Sequence, residues 1–350
     1  MHVPQSVLDV LGIKPVPMFT LSSWIKAAAK CGFNIEPLFK EAGIKVDLIH
    51  LEEARVSPLQ LISLLEQCQA LSTDKYFPFV LGDTFAFESL PEFETMLTTS
   101  ATLREALAVA DMARKVILPW ITLTLVEDAN EARLVVGFDV PETILRAYGL
   151  PLHLVVDGIL AVLRKFARSL QGSQDGFLAV ALKARASDNA RMYEDFFNVP
   201  MRFNQPYNAL IFEPRILDQP LEGAFPALHE QAQYLAEQRL GKEIRRLGLA
   251  AEIEESIGKE PDLLAMGMEE MAERMRLHPR TMQRRLKEEG DSYLHLQARM
   301  RHRLACQWLR DARMSIEDIS ARLGFSDRRA FSAAFKRWEG TTPSAYREQA

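Results

Sequence analysis

Arg280, Gln283, Arg284 and Lys287 recur at i, i+3, i+4 and i+7, which places four polar side chains on one face of a helix. Their chemistry is that of paired hydrogen-bond donors. A guanidinium bonds guanine through two N–H groups in the major groove, and a carboxamide does the same for adenine. Arg280, Gln283 and Arg284 are therefore candidate base readers. Lys287, nearer the helix C-terminus, suits a phosphate. Arg328, Arg329 and Ser332 form a second candidate base-reading set, with Lys336 and Arg337 behind them as phosphate contacts. Ala333 has no hydrogen-bonding group and can offer only a contact to a thymine methyl.

These two sets must be held by helices. In Met268–Lys287 and again in Ile316–Lys336, a short helical pattern, a tight turn and a second, basic helical pattern follow one another. That is a helix-turn-helix plan, twice. In the first, Met271, Ala272 and Met275 face the pair's core, Pro279 suits a first helical turn, and Met282 and Leu286 form the inner face of the second helix. In the second, Ser315 with Asp318 signals a helix start, Gly324 a helix end, and Ser326 or Asp327 the next cap. Phe331 and Phe335 face inward. Between them, Tyr293–Leu309 reads as one long helix with Leu296, Met300, Leu304 and Trp308 on one face. If both units read one face of a duplex, they occupy successive major-groove turns, about 34 Å apart.

The charge agrees. Residues 274–350 carry 17 Lys and Arg against 9 Asp and Glu, a net of +8, so a chain of net −5 has −13 in residues 1–273. An acidic body with a basic end is the asymmetry that DNA-binding modules produce.

Residues 250–347 resemble the DNA-binding domain of the AraC family of bacterial regulators. The resemblance is carried by Gln283-Arg-Arg-Leu-Lys287, Gly290 and Arg299 through Ala305. It continues in Ile319-Ser-Ala-Arg-Leu-Gly-Phe-Ser-Asp327, Phe331, Phe335-Lys-Arg-Trp338, Gly340 and Pro343-Ser-Ala-Tyr-Arg347. It implies an all-α C-terminal domain of two helix-turn-helix units joined by a long helix, each inserting one helix into the major groove. Matched by position, Arg280, Gln283 and Arg284 read bases in the first unit. Arg328, Arg329, Ser332 and Ala333 hold the corresponding places in the second.

The earlier part of the chain changes character along its length. Ser22–Cys31, Pro58–Leu71 and Thr102–Lys115 read as helices, the last with Thr102 and Glu105 as a capping box. Trp120–Val126 and Arg133–Phe138 read as a hairpin around Asp128–Glu131. Leu150–Leu170 reads as a long helix, Phe177–Leu182 as a strand and Asn189–Phe197 as a helix. Val199–Phe203 and Ala209–Phe212 read as strands. Pro214 and Pro220 mark a boundary, followed by a helical stretch, Gly223–Leu247, with Phe225, Leu228, Ala232 and Leu235 as a short apolar stripe. The stripe is open between packing on its own domain and a dimer contact. The expected organisation is an α+β effector-sensing and dimerisation domain at 1–215, a helical linker at 216–249 and the double helix-turn-helix domain at 250–350.

Roughly residues 20–210 also resemble the arabinose-binding-type N-terminal domain of a branch of the AraC family. Thr102-Leu-Arg-Glu-Ala-Leu107, Ala186–Phe197, Val199-Pro-Met-Arg-Phe203 and the Ala209–Phe212 strand carry it. It implies a domain that senses a small molecule and dimerises, without fixing a sugar as that molecule. No effector-binding residue is identified: Trp24, Phe85, Phe87, Trp120, Tyr148, Phe166 and Phe177 fit core at least as well as a pocket. His153, among apolar neighbours, reads as a core or interface histidine.

His2, His50, His153 and His229 are isolated, and no GxSxG, GxxxxGK[ST] or GxGxxG occurs, so no catalytic residue, metal or cofactor is expected. Cys31, Cys68 and Cys306 lack CxxC spacing, and neither a signal peptide nor a membrane-length apolar run is seen. The expectation is a cytoplasmic, dimeric, sequence-specific transcription regulator on double-stranded DNA, under a small-molecule effector, with RNA polymerase left open as a partner. Two alternatives stay open: control by a protein partner or by abundance, and an enzyme domain tethered to a DNA-binding module.

Overall fold

The computed structural model describes residues 15–44, 54–139, 149–171, 176–186, 190–310 and 314–349. Tyr148, His2, His50 and the expected helix start at Asn189 lie outside them. The chain divides into two units, one of Pro15–Leu240 and one containing Gly241–Ala350.

The first unit begins with a two-stranded antiparallel ribbon, β1 (Val16–Pro17) and β2 (Arg55–Val56), with Val16 opposite Val56. Around it lie α1 (Leu21–Lys30), α2 (Glu36–Glu41), α3 (Pro58–Leu71), α4 (Phe77–Thr84), α5 (Pro91–Thr99) and α6 (Leu103–Ile117). Proline stands in the first turn of α2, α3, α4 and α5, where its missing N–H has no helical partner to lose. Ser57 and Gln60 close a reciprocal capping box on α3. The box expected on α6 is only half made. Thr102 Oγ1 accepts from Glu105 N at 3.2 Å, but the Glu105 carboxylate accepts from Ala101 N–H, one residue earlier than a box requires.

The sheet has the order β3 (Ile121–Glu127), β4 (Ala132–Phe138), β7 (Asn208–Phe212), β5 (Phe177–Ala181), β6 (Met201–Arg202). Every pairing is antiparallel except β5 with β6. The expected hairpin is present: Asp128 Oδ1 accepts from the Asn130 and Glu131 N–H groups, and Leu125 stands opposite Leu134. The strand expected at Val199–Phe203 shrinks to two residues. Pro200 has no N–H to donate, and Asn198 and Asn204 turn the backbone at φ of 54° and 55°.

Helix α7 (Leu152–Gln171) packs on α4, β4 and β7, and α8 (Ala190–Phe197) follows β5. A Cβ at Gly82 would lie 2.3 Å from Ala161 Cβ, so α4 and α7 touch at closer range than any side chain would allow. Asp157 of α7 is buried and accepts from the hydroxyls of Tyr76 (2.6 Å) and Tyr193 (2.7 Å). Burial pushes its carboxyl up to about 6, against the two tyrosine hydrogen bonds. His153 is exposed, which corrects the core reading. At 100° per residue, apolar neighbours in sequence are not neighbours on the helix surface.

Helix α9 (Pro226–Leu247) includes the residue at which the units divide. Among the described residues the second unit is all helical: α10 (Leu249–Lys259), α11 (Met268–Arg274), α12 (Pro279–Glu288), α13 (Tyr293–Arg310), α14 (Ile316–Arg322), α15 (Arg328–Glu339) and α16 (Pro343–Gln349). One hydrophobic cluster runs through it, from Ile253 and Ile257 through Met271, Met282, Leu286, Met300 and Leu304 to Ile319, Phe331 and Phe335.

Candidate nucleic-acid interface

Each helix-turn-helix is fixed first by its turn. After α11, Leu277 N–H returns to Ala272 O at 2.8 Å; after α14, Phe325 N–H returns to Ser320 O at 3.1 Å. Both are six-to-one closures around a left-handed residue, with an apolar residue just beyond. In the second unit that residue is Gly324, φ 75°; in the first it is Arg276, φ 57°. The same backbone is thus built once with glycine and once with a residue that pays for its Cβ.

The following helices are then started by side chains. His278 Nδ1 accepts from Arg280 N–H at 3.2 Å, ahead of Pro279 at the first helical position of α12. Asp327, not Ser326, caps α15, its Oδ1 accepting from Ala330 N–H at 2.8 Å. Ser315 Oγ accepts from Asp318 N–H at 3.0 Å at the start of α14. On the inner faces, Met271, Ala272, Met282, Leu286, Phe331 and Phe335 are buried, while Met275 is half-buried.

On α12, Arg280, Gln283, Arg284 and Lys287 are all exposed and share the face turned away from Met282 and Leu286. On α15, Arg328, Arg329, Ala333, Lys336 and Arg337 are exposed, and Ser332 is half-buried. At 100° per residue, Arg329, Ala333 and Lys336 are centred opposite the Phe331, Phe335 and Trp338 side, with Arg328 and Ser332 flanking. Two of these cations are tethered by acidic partners: Arg284 Nη1 lies 2.9 Å from Glu288 Oε1, and Arg328 Nη1 lies 2.7 Å from Glu317 Oε1.

Arg299 and Arg301 of the same unit are structural instead. On α13, Arg299 Nη2 donates to Glu254 Oε1 at 2.5 Å and Asp291 Oδ2 at 2.6 Å. Arg301 Nε donates to Leu323 O at 2.9 Å, satisfying a carbonyl at the end of α14. Gln297 and Tyr293 donate to Met266 O, and Gln297 also to Leu264 O. These bonds fasten α13 to both helix-turn-helix units. Leu296, Met300 and Leu304 are buried as expected, but Leu309 takes the inner place expected of Trp308, which is half-buried.

Helix α13 is also joined to α15 by His302, whose Nε2 lies 2.6 Å from Glu339 Oε1, with Cys306 Sγ 3.8 Å from the same oxygen. Burial opposes a charge on His302, but its bonds to Cys306 and Glu339 outweigh it and push the imidazole up to about 10. Finally, Glu289, past the C-terminus of α12, accepts from the N–H groups of Leu249 (2.7 Å) and Ala250 (3.1 Å), capping α10.

The first unit holds a second candidate site that the sequence did not single out. A cavity of about 160 Å³ is lined from β1, α1, α3, α4, α6, β3 and α7. Trp24, Phe85, Phe87 and Phe166 contribute to it, whereas Trp120 and Phe177 do not. In sequence, its Leu, Ala and Phe residues are indistinguishable from core.

Residues 32–221 match the family described as the arabinose-binding domain of AraC transcription regulators, N-terminal. This chain belongs to the AraC family of transcription regulators. Residues 271–349 of the regulator match a helix-turn-helix domain family. It is 26% identical over 337 residues to the ornithine utilization regulator of Pseudomonas aeruginosa, covering 95% of this chain and 96% of that one. It is 25% identical over 316 residues to the transcriptional regulator VirS of Mycobacterium tuberculosis, covering 89% and 90%. The solved structure of the transcriptional regulator CdpR from Pseudomonas aeruginosa is similar at 21% identity, covering 90% of this chain and 96% of that one, with a TM-score of 0.43. The regulator binds DNA through its helix-turn-helix region. Among the described residues, no helix is long and apolar enough to cross a membrane.

Proposed function

We propose that the regulator reads two successive major-groove segments of double-stranded DNA, as a cytoplasmic homodimer whose DNA binding is set by a small molecule in the first unit. Arg280, Gln283 and Arg284 of α12, and Arg328, Arg329 and Ser332 of α15, contact base edges. Lys287, Lys336 and Arg337 contact phosphates. RNA polymerase is a further partner compatible with this role. The sensing region is 1–215, the linker 216–249 and the DNA-reading region 250–350.

The observation that carries the reading is the pair of exposed cationic faces on α12 and α15, set on one continuous core and fastened through α13. Dimerisation is supported by α9. Ala232, Ala236 and Leu240 are buried, but Phe225, Leu228, Tyr234 and Leu235 are exposed, Phe225 and Leu235 at 57% each. Exposed apolar side chains on one helix suit a second copy. Effector control is supported by the cavity within the matched N-terminal domain.

Selection of binding sites from random duplex DNA with the full chain tests the reading. The expected result is a site with two half-elements about one helical turn apart. Recovery of sequence-independent binding alone would refute it. A ligand acts only by its differential affinity for the DNA-competent arrangement, so an effector must change the dissociation constant for that site.

A further inference from the structure

The cavity of the first unit has a one-sided chemistry. Its wall is aliphatic and aromatic, with Trp24, Leu65, Leu81, Phe87, Leu107 and Val162 among the lining residues. At about 160 Å³ it is of the order of an interior cavity that admits a benzene ring. Beyond the Trp24 indole, two lining side chains carry polar groups, Thr20 and Arg114. The Thr20 hydroxyl accepts from Trp24 Nε1 at 3.2 Å, which satisfies the indole N–H. Arg114 Nε donates to Asp111 Oδ1 at 2.7 Å, and Nη1 donates to Ile121 O at 2.6 Å. The Arg114 Nη2 amino group is left for a ligand.

This wall discriminates by desolvation. A sugar would bring several hydroxyls, and a diamino acid two ammonium groups, into a space that offers only the Arg114 amino group and the Thr20 hydroxyl. Each polar group buried without a partner loses its hydration with nothing in return. An apolar body instead gains with every part of its surface removed from water. A single acidic group on that body would meet the remaining Arg114 amino group, and a charge-assisted bond of this kind is among the stronger ones.

We propose that the first unit binds an apolar carboxylic acid, aromatic or medium-chain alkanoic, with its body in the cavity and its carboxylate on Arg114 Nη2. The proposal rests on the effector-gated reading above and names the class of effector. It excludes a pentose and a diamino acid, despite the domain's family description and the name of the Pseudomonas relative.

Calorimetry and thermal denaturation of the full chain with octanoate, 1-octanol, arabinose and ornithine test it. The expected result is saturable one-to-one binding of octanoate, about tenfold or more tighter than 1-octanol, with no saturable binding of arabinose or ornithine. Ala110 lines the cavity from the half-buried side of α6, so Ala110→Phe fills it and abolishes octanoate binding. If that variant does not fold, the octanoate and 1-octanol comparison on the wild-type chain still decides. Equal affinity for the alcohol overturns the acid, and binding that does not saturate, or that survives in a folded Ala110→Phe chain, overturns the site. Binding of arabinose or ornithine without octanoate overturns the class while leaving effector gating intact. If no probe binds, the inference falls. Effector gating falls with it only if transcription from the selected site also stays constant across a metabolite panel.

Discussion

Replacing Arg284 by alanine removes one forked donor from the outer face of α12. A bidentate contact to guanine contributes about 1–3 kcal/mol of discrimination. In the free protein that guanidinium is held 2.9 Å from Glu288 Oε1, with the two side chains 67% and 58% exposed. An exposed pair at i, i+4 contributes about 0.2–0.5 kcal/mol, and docking on a base must give it up. The net loss for Arg284→Ala is therefore about 0.5–2.8 kcal/mol, or roughly 2- to 110-fold in dissociation constant. Glu288→Gln frees the guanidinium and removes a carboxylate near the phosphates, so it should tighten binding by about twofold. The assay is the dissociation constant of the full chain at fixed salt, on the selected site, on its single-base variants and on random duplex. Arg284→Ala should weaken the selected site and flatten its dependence on one base pair. Lys287→Ala should weaken all duplexes alike and lower the salt slope by about one. An equal loss on random DNA for Arg284→Ala would refute base reading by that residue.

Three other outcomes follow from the packing. Arg276→Gly should raise stability by about 0.5–1 kcal/mol, since a left-handed non-glycine residue costs about 1–2 kcal/mol and glycine returns part of that as chain entropy; a fall in the denaturation midpoint would contradict the turn. Gly82→Ala should destabilise by about 1–3 kcal/mol through overpacking against Ala161, and Ala161→Gly should recover part of the loss in a double-mutant cycle. The His302–Glu339 pair should give a pH-dependent stability. The raised imidazole contributes fully below its ordinary value of 6.5 and loses that contribution as pH rises through about 10. The lowered Glu339 carboxyl contributes above its ordinary 4.5 and loses that as pH falls. The stability lost on Glu339→Gln should therefore be largest near pH 5–6.5 and shrink towards pH 10, and a flat difference would sink the pairing.

The exposed polar faces of α12 and α15 were legible because helical period and residue chemistry agree there. Met282 and Leu286 fix one side, and Arg280, Gln283, Arg284 and Lys287 can only occupy the other. The caps at Ser315 and Asp327 were legible for the same local reason. Features made by distant partners were not. Arg276 stands where glycine is usual, and only the return of Leu277 N–H to Ala272 O shows that its backbone is left-handed. Arg299 and Arg301 add to the positive charge count, yet two of their partners, Glu254 and Leu323 O, lie far along the chain. The cavity was invisible because Leu107 or Phe87 beside a void has the same sequence signature as in a packed interior. The apolar stripe proved split: Ala232 of α9 turns inward while Leu228 and Leu235, with Phe225 just before the helix, remain at the surface.

The contact of Gly82 with Ala161 has a mechanical consequence. Most helix pairs meet through long side chains, and a small push on one is taken up by rotamer changes before it reaches the other. At this point of their contact α4 and α7 meet through a backbone and a methyl group, neither of which has a rotamer to yield. Leu81 and Val162, next to the contact, line the cavity. A guest that displaces α7 by a few tenths of an ångström must therefore carry α4 along by nearly the same amount. Under the proposed effector gating, this junction passes a displacement from one helix to the other with little lost to local relaxation.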